Sequence, residues 1–257
     1  MLRRFGLLCF LLTSEAAGLR AADPADPENF RIEITGSTWL IDTTGSVQSK
    51  GTQVDFVSDL GFEQQKPMFY GKLVLKPGRK HRILIEGSPF RFDGNNTIHR
   101  SITYQGQTFN IDEMLKTTAS LDYLFAGYQY DLLSGPAGHL GLSVGGAYLN
   151  ATATIVSLQP ATSAARTQDI GLPLAGAEFR IFPLHKWFDI DGGVRGMTFG
   201  DYGHYVEGGA NASLWLGPLA LQGGYRIVNT TLQQTGGNPG GITVRMKGPI
   251  FSLAFKW

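Results

Sequence analysis

Apolar and polar residues alternate with a period of two along most of this chain. Phe30, Ile32, Ile34, Gly36, Thr38 and Leu40 oppose Arg31, Glu33, Thr35 and Ser37. Phe69, Gly71, Leu73 and Leu75 oppose Tyr70, Lys72 and Val74, and Ile83, Ile85 and Gly87 oppose Arg82, Glu86 and Ser88. Leu121, Tyr123, Phe125 and Gly127 are set against Ser120, Asp122 and Ala126. Leu140, Leu142, Val144 and Tyr148 are set against Gly141, Ser143 and Ala147. Successive side chains of a strand point to opposite faces, so this period predicts strands, each with one greasy face. Later segments repeat the pattern around Ile170–Phe182, Trp187–Phe199, Tyr205–Leu216 and Leu219–Thr231, and the last is Phe251–Trp257. The sixth segment changes phase near Pro173, which predicts a bulge or an edge irregularity there. Ten strands result, with eight and twelve as the neighbouring even counts.

The connections alternate in length. Turns at Pro77-Gly78-Arg79, Ser134–Gly138, Pro183–His185 and Gly217-Pro218 are short. The segments Thr43–Pro67, Asp93–Met114, Thr154–Gln168 and Gln233–Gly241 are long, and Gln105-Gly106 reads as a small hairpin tip. Only the Gly200–Gly203 link is short on the long side. Short turns at one end, longer loops at the other and an even strand count describe a transmembrane barrel. A soluble sandwich gives no reason for that alternation, although a soluble extracytoplasmic β-domain is the alternative architecture. In lipid every backbone N–H and C=O needs an internal partner, so the sheet must close. Aromatic residues near strand ends fit interfacial girdles: Trp187, Trp215, Phe251 and Trp257 on the turn side, Tyr148, Phe199 and Tyr202 on the loop side.

Charge and composition narrow the class. The chain has 257 residues, 34 glycines and a formal net charge of +1. Arg3 and Arg4 precede an apolar run from Phe5 to Leu12 and then small residues around Ala16, Ala17 and Ala21. This is the layout of a secretory signal peptide over 1–21, with cleavage expected within 17–22. An extended lead-in follows over 22–29 and the barrel over 30–257. Residues 1–21 hold Arg3, Arg4, Arg20 and Glu15, so their removal takes the formal charge from +1 to −1. No basic field draws nucleic acid. The single Cys9 lies in the apolar run, so the remainder has no disulfide or thiolate site.

In the terminal strand Phe251, Leu253, Phe255 and Trp257 share one face, and Ser252, Ala254 and Lys256 the other. That row, ending on an aromatic residue, resembles the terminal strand signature of bacterial outer-membrane β-barrels. With the signal peptide and the ten amphipathic segments, the whole mature chain resembles the small members of that superfamily. The resemblance implies an all-β, single antiparallel up-and-down transmembrane β-barrel in the bacterial outer membrane. It also implies outer-membrane lipid and the barrel-assembly machinery as partners, with Phe251, Leu253, Phe255 and Trp257 as the assembly signal. A monomer is expected. The segment Gly51–Phe62, with its Asp59-Leu60-Gly61, is reminiscent of uncharacterised members with a similar stretch after strand one, and no chemistry attaches to it.

The polar face points to function. By phase it carries Arg31, Lys72, Arg82, Arg180, Arg195 and Arg226 against Glu33, Glu86, Asp122, Glu178, Asp189, Asp191 and Glu207. Buried charges need partners, so balanced signs predict an ion-paired, narrow lumen in place of a wide aqueous pore. A structural, adhesive or small-solute permeation role follows, without catalysis. The alternative is an outer-membrane hydrolase, omptin-like or lipid-modifying, using rim residues. For it, Asp189 and Asp191 have a suitable spacing but lie toward the turn side, while Asp201 and His204 lie at the rim. His81, His139 and His185 adjoin turns, where solvation of strand ends is the expected role. No metal cluster, phosphate loop or nucleotide fingerprint stands in the sequence, and no cofactor is expected.

Overall fold

A computed structural model describes residues 26–49, 52–158, 161–234 and 240–257. The signal segment 1–21, its cleavage zone and the lead-in up to residue 25 lie outside the described residues, as does Gly51. The strands are β1 (Ile32–Ser49), β2 (Thr52–Asp55), β3 (Gln65–Gly78), β4 (His81–Thr97), β5 (Ile102–Tyr104), β6 (Gln107–Phe109) and β7 (Met114–Gly135). They continue as β8 (Gly138–Leu158), β9 (Ala161–Ile181), β10 (Pro183–Lys186), β11 (Phe188–Thr198), β12 (Gly203–Leu216), β13 (Leu219–Gln234) and β14 (Gly240–Lys256). Ten of them pair in sequence order: β1, β3, β4, β7, β8, β9, β11, β12, β13 and β14. The antiparallel pairing of β14 with β1 closes the ring. Chain-wise neighbours pair throughout, so the barrel is up-and-down. The Trp257 carbonyl accepts from the Arg31 and Ile32 amides and its own amide donates to Ile32, which ties the seam at the turn end.

The outer wall is apolar. Phe69 is 59% exposed, Val144 61% and Leu253 62%, and Ile34, Leu142, Leu221, Phe251 and Phe255 continue the band. A water-soluble monomer does not expose a contiguous surface of this kind, whereas lipid requires it. No helix among the described residues is long and apolar enough to cross a membrane. A transmembrane strand needs about 9–11 residues. The 22 residues of β7 and the 21 each of β8 and β9 exceed this, so the wall rises beyond the hydrocarbon on the loop side.

Several expectations need correcting. Thr154–Gln168 is not a loop. β8 and β9 pair in register out to Leu158 and Ala161, forming a tall hairpin. No phase change occurs at Pro173, because it points outward between inward Leu172 and Leu174 in an unbroken ladder. The face of the fourth expected segment is inverted: Tyr123 and Phe125 point inward and are buried, and Asp122 points outward. Trp215 and Phe199 leave the girdles, since Trp215 is buried inside and Phe199 packs against the lumen core.

The loop side carries a lid. β5 and β6 form a hairpin whose tip, Gln105 and Gly106, has positive φ at both positions, as a two-residue turn requires. The stretch with Asp59-Leu60-Gly61 folds over the mouth. Asp55 Oδ1 accepts from the Val57 and Ser58 amides, and Asp59 pairs with Arg100. Gly94 lets this stretch dock: a Cβ there would sit 2.2 Å from the Leu60 carbonyl oxygen. Val54, Leu60, Phe62, Ile98, Ile102 and Phe109 bury together beneath.

Candidate functional site: an ion-paired lumen

Alternation sends every second side chain into the barrel, and in the turn-side half many of these are charged. They form two layers. In the lower layer, Arg180 donates two parallel bonds of 2.8 Å to Glu33, and its Nε lies 3.6 Å from Asp189. The Trp215 indole donates to Asp189 at 2.5 Å, and Lys256 Nζ lies 3.8 Å over the Trp215 ring and 3.7 Å from Glu33. Arg82 donates to Asp131 at 2.8 Å, and Gln129 donates to the other Asp131 oxygen. The layer also takes in Glu28 from the lead-in. Its carboxylate accepts from Arg82 at 2.5 Å, and Lys76, His139 and Arg180 lie 3.3, 3.3 and 3.7 Å away. Phe30 follows it inside, with Lys76, Arg82 and Lys256 around its ring. Asp26–Phe30 is thus a strap drawn into the turn-side mouth.

Burial by itself would raise the pKa of Glu28. The nearby His139, the Arg82 charge and the Arg180 charge outweigh it and hold the carboxyl well below the usual 4.5.

The upper layer centres on Arg195, whose guanidinium pairs with Glu86 and Glu207 and lies 3.8 Å over the Phe125 ring. Glu207 also accepts from Arg226 at 2.5 Å and from the Tyr123 hydroxyl at 2.9 Å. Glu86 accepts from the Tyr70 hydroxyl at 2.5 Å. Lys72 donates to Glu178 at 2.9 Å and lies 3.7 Å from Glu86. Lys72, Arg195 and Arg226 therefore face Glu86, Glu178 and Glu207, and the layer is neutral. Asp191 lies between the layers and accepts from Asn211 at 3.1 Å. A cavity of about 120 Å³ threads these groups, enough for water to reach some of them.

Eleven of the thirteen residues assigned to the lumen network by sequence point into it. Arg31 and Asp122 do not. Arg31 precedes β1 and lies exposed at the turn end, donating to the Pro77 carbonyl at 3.2 Å. Asp122 pairs with Arg91 at 2.7 Å on the outer wall, both about half exposed. At about 3.3 Å per residue and a tilt of about 45°, the stretch from Gly135 up to Asp122 spans roughly 30 Å of membrane normal, one bilayer core. The outer pair thus lies at the far interface.

Sequence reading missed Glu28, Lys76, Asp131, His139 and Lys256. Glu28 precedes any strand. Lys76 and Asp131 adjoin the two register shifts, after Leu75 and after Asp131. His139 is buried beside Glu28 and does not solvate a strand end. Lys256 shares a face with Ser252 in the terminal pattern, and that phase is the signal that reveals it. Asp189 and Asp191 are held among these ion pairs at the turn side. Asp201 is exposed on the Gly200–Tyr202 turn, and His204 lies at the start of β12. No cluster that could hold a metal occurs among the described residues.

No protein-family model matches the chain, and no curated protein matches it. Solved structures do. The outer-membrane protease OmpT of Escherichia coli aligns over 88% of this chain and 97% of its own, at 13% identity and a TM-score of 0.59. The translocator domain of the autotransporter NalP from Neisseria meningitidis aligns over 88% of each chain at 11% identity and a TM-score of 0.45. The outer membrane protein OprG from Pseudomonas aeruginosa covers 89% of this chain and 96% of its own at 11% identity, TM-score 0.40. At such identities the OmpT likeness speaks for architecture alone. Closed ring, apolar belt and up-and-down order together give this chain the fold of the bacterial outer-membrane β-barrel proteins.

Proposed function

We propose that this protein is a monomeric outer-membrane barrel closed to free diffusion, whose working surface faces away from the cell. The observation that carries the reading is the strap: Glu28 and Phe30 fill the turn-side mouth and engage cations on β3, β4, β9 and β14. The neutral upper layer lies directly above. An ion crossing this lumen would have to break bonds between desolvated charges, which costs several kcal/mol per ion. A structural or ligand-binding role at the cell surface fits such a barrel, and no catalytic step is assigned to it. Location in the outer membrane, with the terminal aromatic row read by the assembly machinery, belongs to the same proposal.

Planar-bilayer recording tests the closure. The wild-type protein is expected to give no sustained conductance steps, and Glu28→Ala/Phe30→Ala to give steps. Large, steady openings by the wild type would overturn the closed-lumen reading.

A further inference from the structure

Above the charged layers the lumen ceases to be filled. A cavity of about 500 Å³ lies between the aromatic core, which includes Leu172 and Met246, and the lid residues Val54, Leu60, Phe62 and Tyr104. Its wall is mostly apolar, with Phe92, Leu121, Ile155, Ile170, Phe199 and Val244 facing in, beside the polar side chains of Thr117, Arg166 and Gln168. The space has a cause in the sequence. Ala119 on β7 faces Ala153 on β8, and Leu121 faces Ala151. Lower on the same inward rows stand Tyr123, Phe125 and Leu149, which close the lumen. Three small side chains at the upper positions leave room where large ones would have met across the barrel.

Protein interiors leave few voids larger than a water molecule. Water needs two to four polar partners, so it suits the places beside Thr117 and Gln168 and is a poor filler of the apolar remainder. A dry apolar cavity of about 150 Å³ suffices for benzene, and this chamber is roughly three times larger. Gln48, Tyr202 and Gln233 mark its rim at the loop-side strand ends, so the way in is from outside the cell.

We propose that the chamber formed by Ala119, Ala151 and Ala153 beneath the lid is a binding site for a compact, uncharged apolar molecule of one to about three rings, taken up from the outer face. The site goes beyond the closed-lumen reading, because a guest can bind whether or not the floor conducts. The residues of the ion-paired layers take no part in it.

The test uses the full chain in phosphatidylcholine nanodiscs, titrated with the fluorescent apolar probe 1-N-phenylnaphthylamine against empty discs. A saturable one-to-one signal above disc partitioning is expected for the wild type, displaced by naphthalene. Ala153→Phe fills the chamber and should weaken binding at least tenfold. Ala119→Leu, a smaller filling, should weaken it severalfold and carries the test if Ala153→Phe loses the gel shift of a folded barrel. Equal saturable binding by wild type and filled variants, or only linear partitioning in all of them, overturns the site. Displacement by laurate and not by naphthalene overturns the ligand class in favour of a lipid acyl chain. Conductance recorded on the same preparation separates this outcome from failure of the closed-lumen reading.

Discussion

Replacing Glu207 with Ala tests the upper layer most directly. Glu207 is 3% exposed and is paired with Arg195 directly across the β11–β12 ladder. Its two oxygens serve Arg195, Arg226 and the Tyr123 hydroxyl. Removal leaves three cations facing two carboxylates, a net charge of +1 in a desolvated layer. Arg195 keeps Glu86, but Arg226 loses its sole carboxylate ion pair among the described residues and keeps only the faces of Trp39 and Tyr70. Breaking a buried pair by removing one partner costs about 3–5 kcal/mol. The neighbouring cavity admits water, so the lower end of that range applies. Glu207→Ala/Arg226→Met restores neutrality and should recover at least half of the loss. Reversible urea unfolding in the presence of lipid vesicles reads both variants. A loss below about 1 kcal/mol for Glu207→Ala, or no recovery in the double variant, would refute the account of the layer as a coupled, water-poor network.

Three further outcomes are expected. Ala210→Arg, on the outer face midway along β12, should destabilise the barrel by roughly 2–4 kcal/mol in the same unfolding assay; a neutral result would place that face away from lipid. Phe255→Asp puts a charge into the exposed terminal row and should lower membrane levels and abolish the difference in gel mobility between unboiled and boiled samples; unchanged levels and mobility would argue against that row as lipid-facing. Glu28, with Arg82, Lys76, His139 and Arg180 around it, binds its proton less readily folded than unfolded. Its contribution is therefore complete above about pH 4.5 and is lost as pH falls through the lower folded value. Glu28→Gln should flatten that acid limb of stability, and an unaltered limb would contradict the strap.

The strands were legible because lipid imposes one face on nearly all of them. Ile34, Phe69, Leu142, Leu221 and Leu253 are exposed and apolar for the same reason. The fourth expected segment misled because its inner row, Tyr123 and Phe125, is as apolar as its outer row of Leu124, Tyr128 and Tyr130. Hydropathy cannot separate a packed lumen from a lipid face; the partners Glu207 and Arg195 decide it. Lys76 and Asp131 escaped for a different reason, since ladder shifts beside them leave the strand-end phase ambiguous. Glu28 and the alanine-lined chamber depend on which strands become neighbours, a three-dimensional fact that no local pattern carries. The Asp59-Leu60-Gly61 stretch carried no reading by itself and acquires one only through its docking on Gly94.

The seam has a kinetic consequence. Ser37 and Ser252 share a hydroxyl hydrogen bond of 2.8 Å across 215 positions of chain. The entropy of closing so long a loop grows only logarithmically, so distance by itself is a modest obstacle. The edges matter more. Until β1 meets β14, both carry unpaired amides and carbonyls, each costing several kcal/mol in hydrocarbon. An open sheet is therefore no resting state in the bilayer, and the ring must zip shut in a single cooperative event. Glu28 stands ahead of β1 and draws on groups from β3, β4, β8 and β9. Its strap can seat only where those strands already curve around it, so the segment made first is held by wall made later.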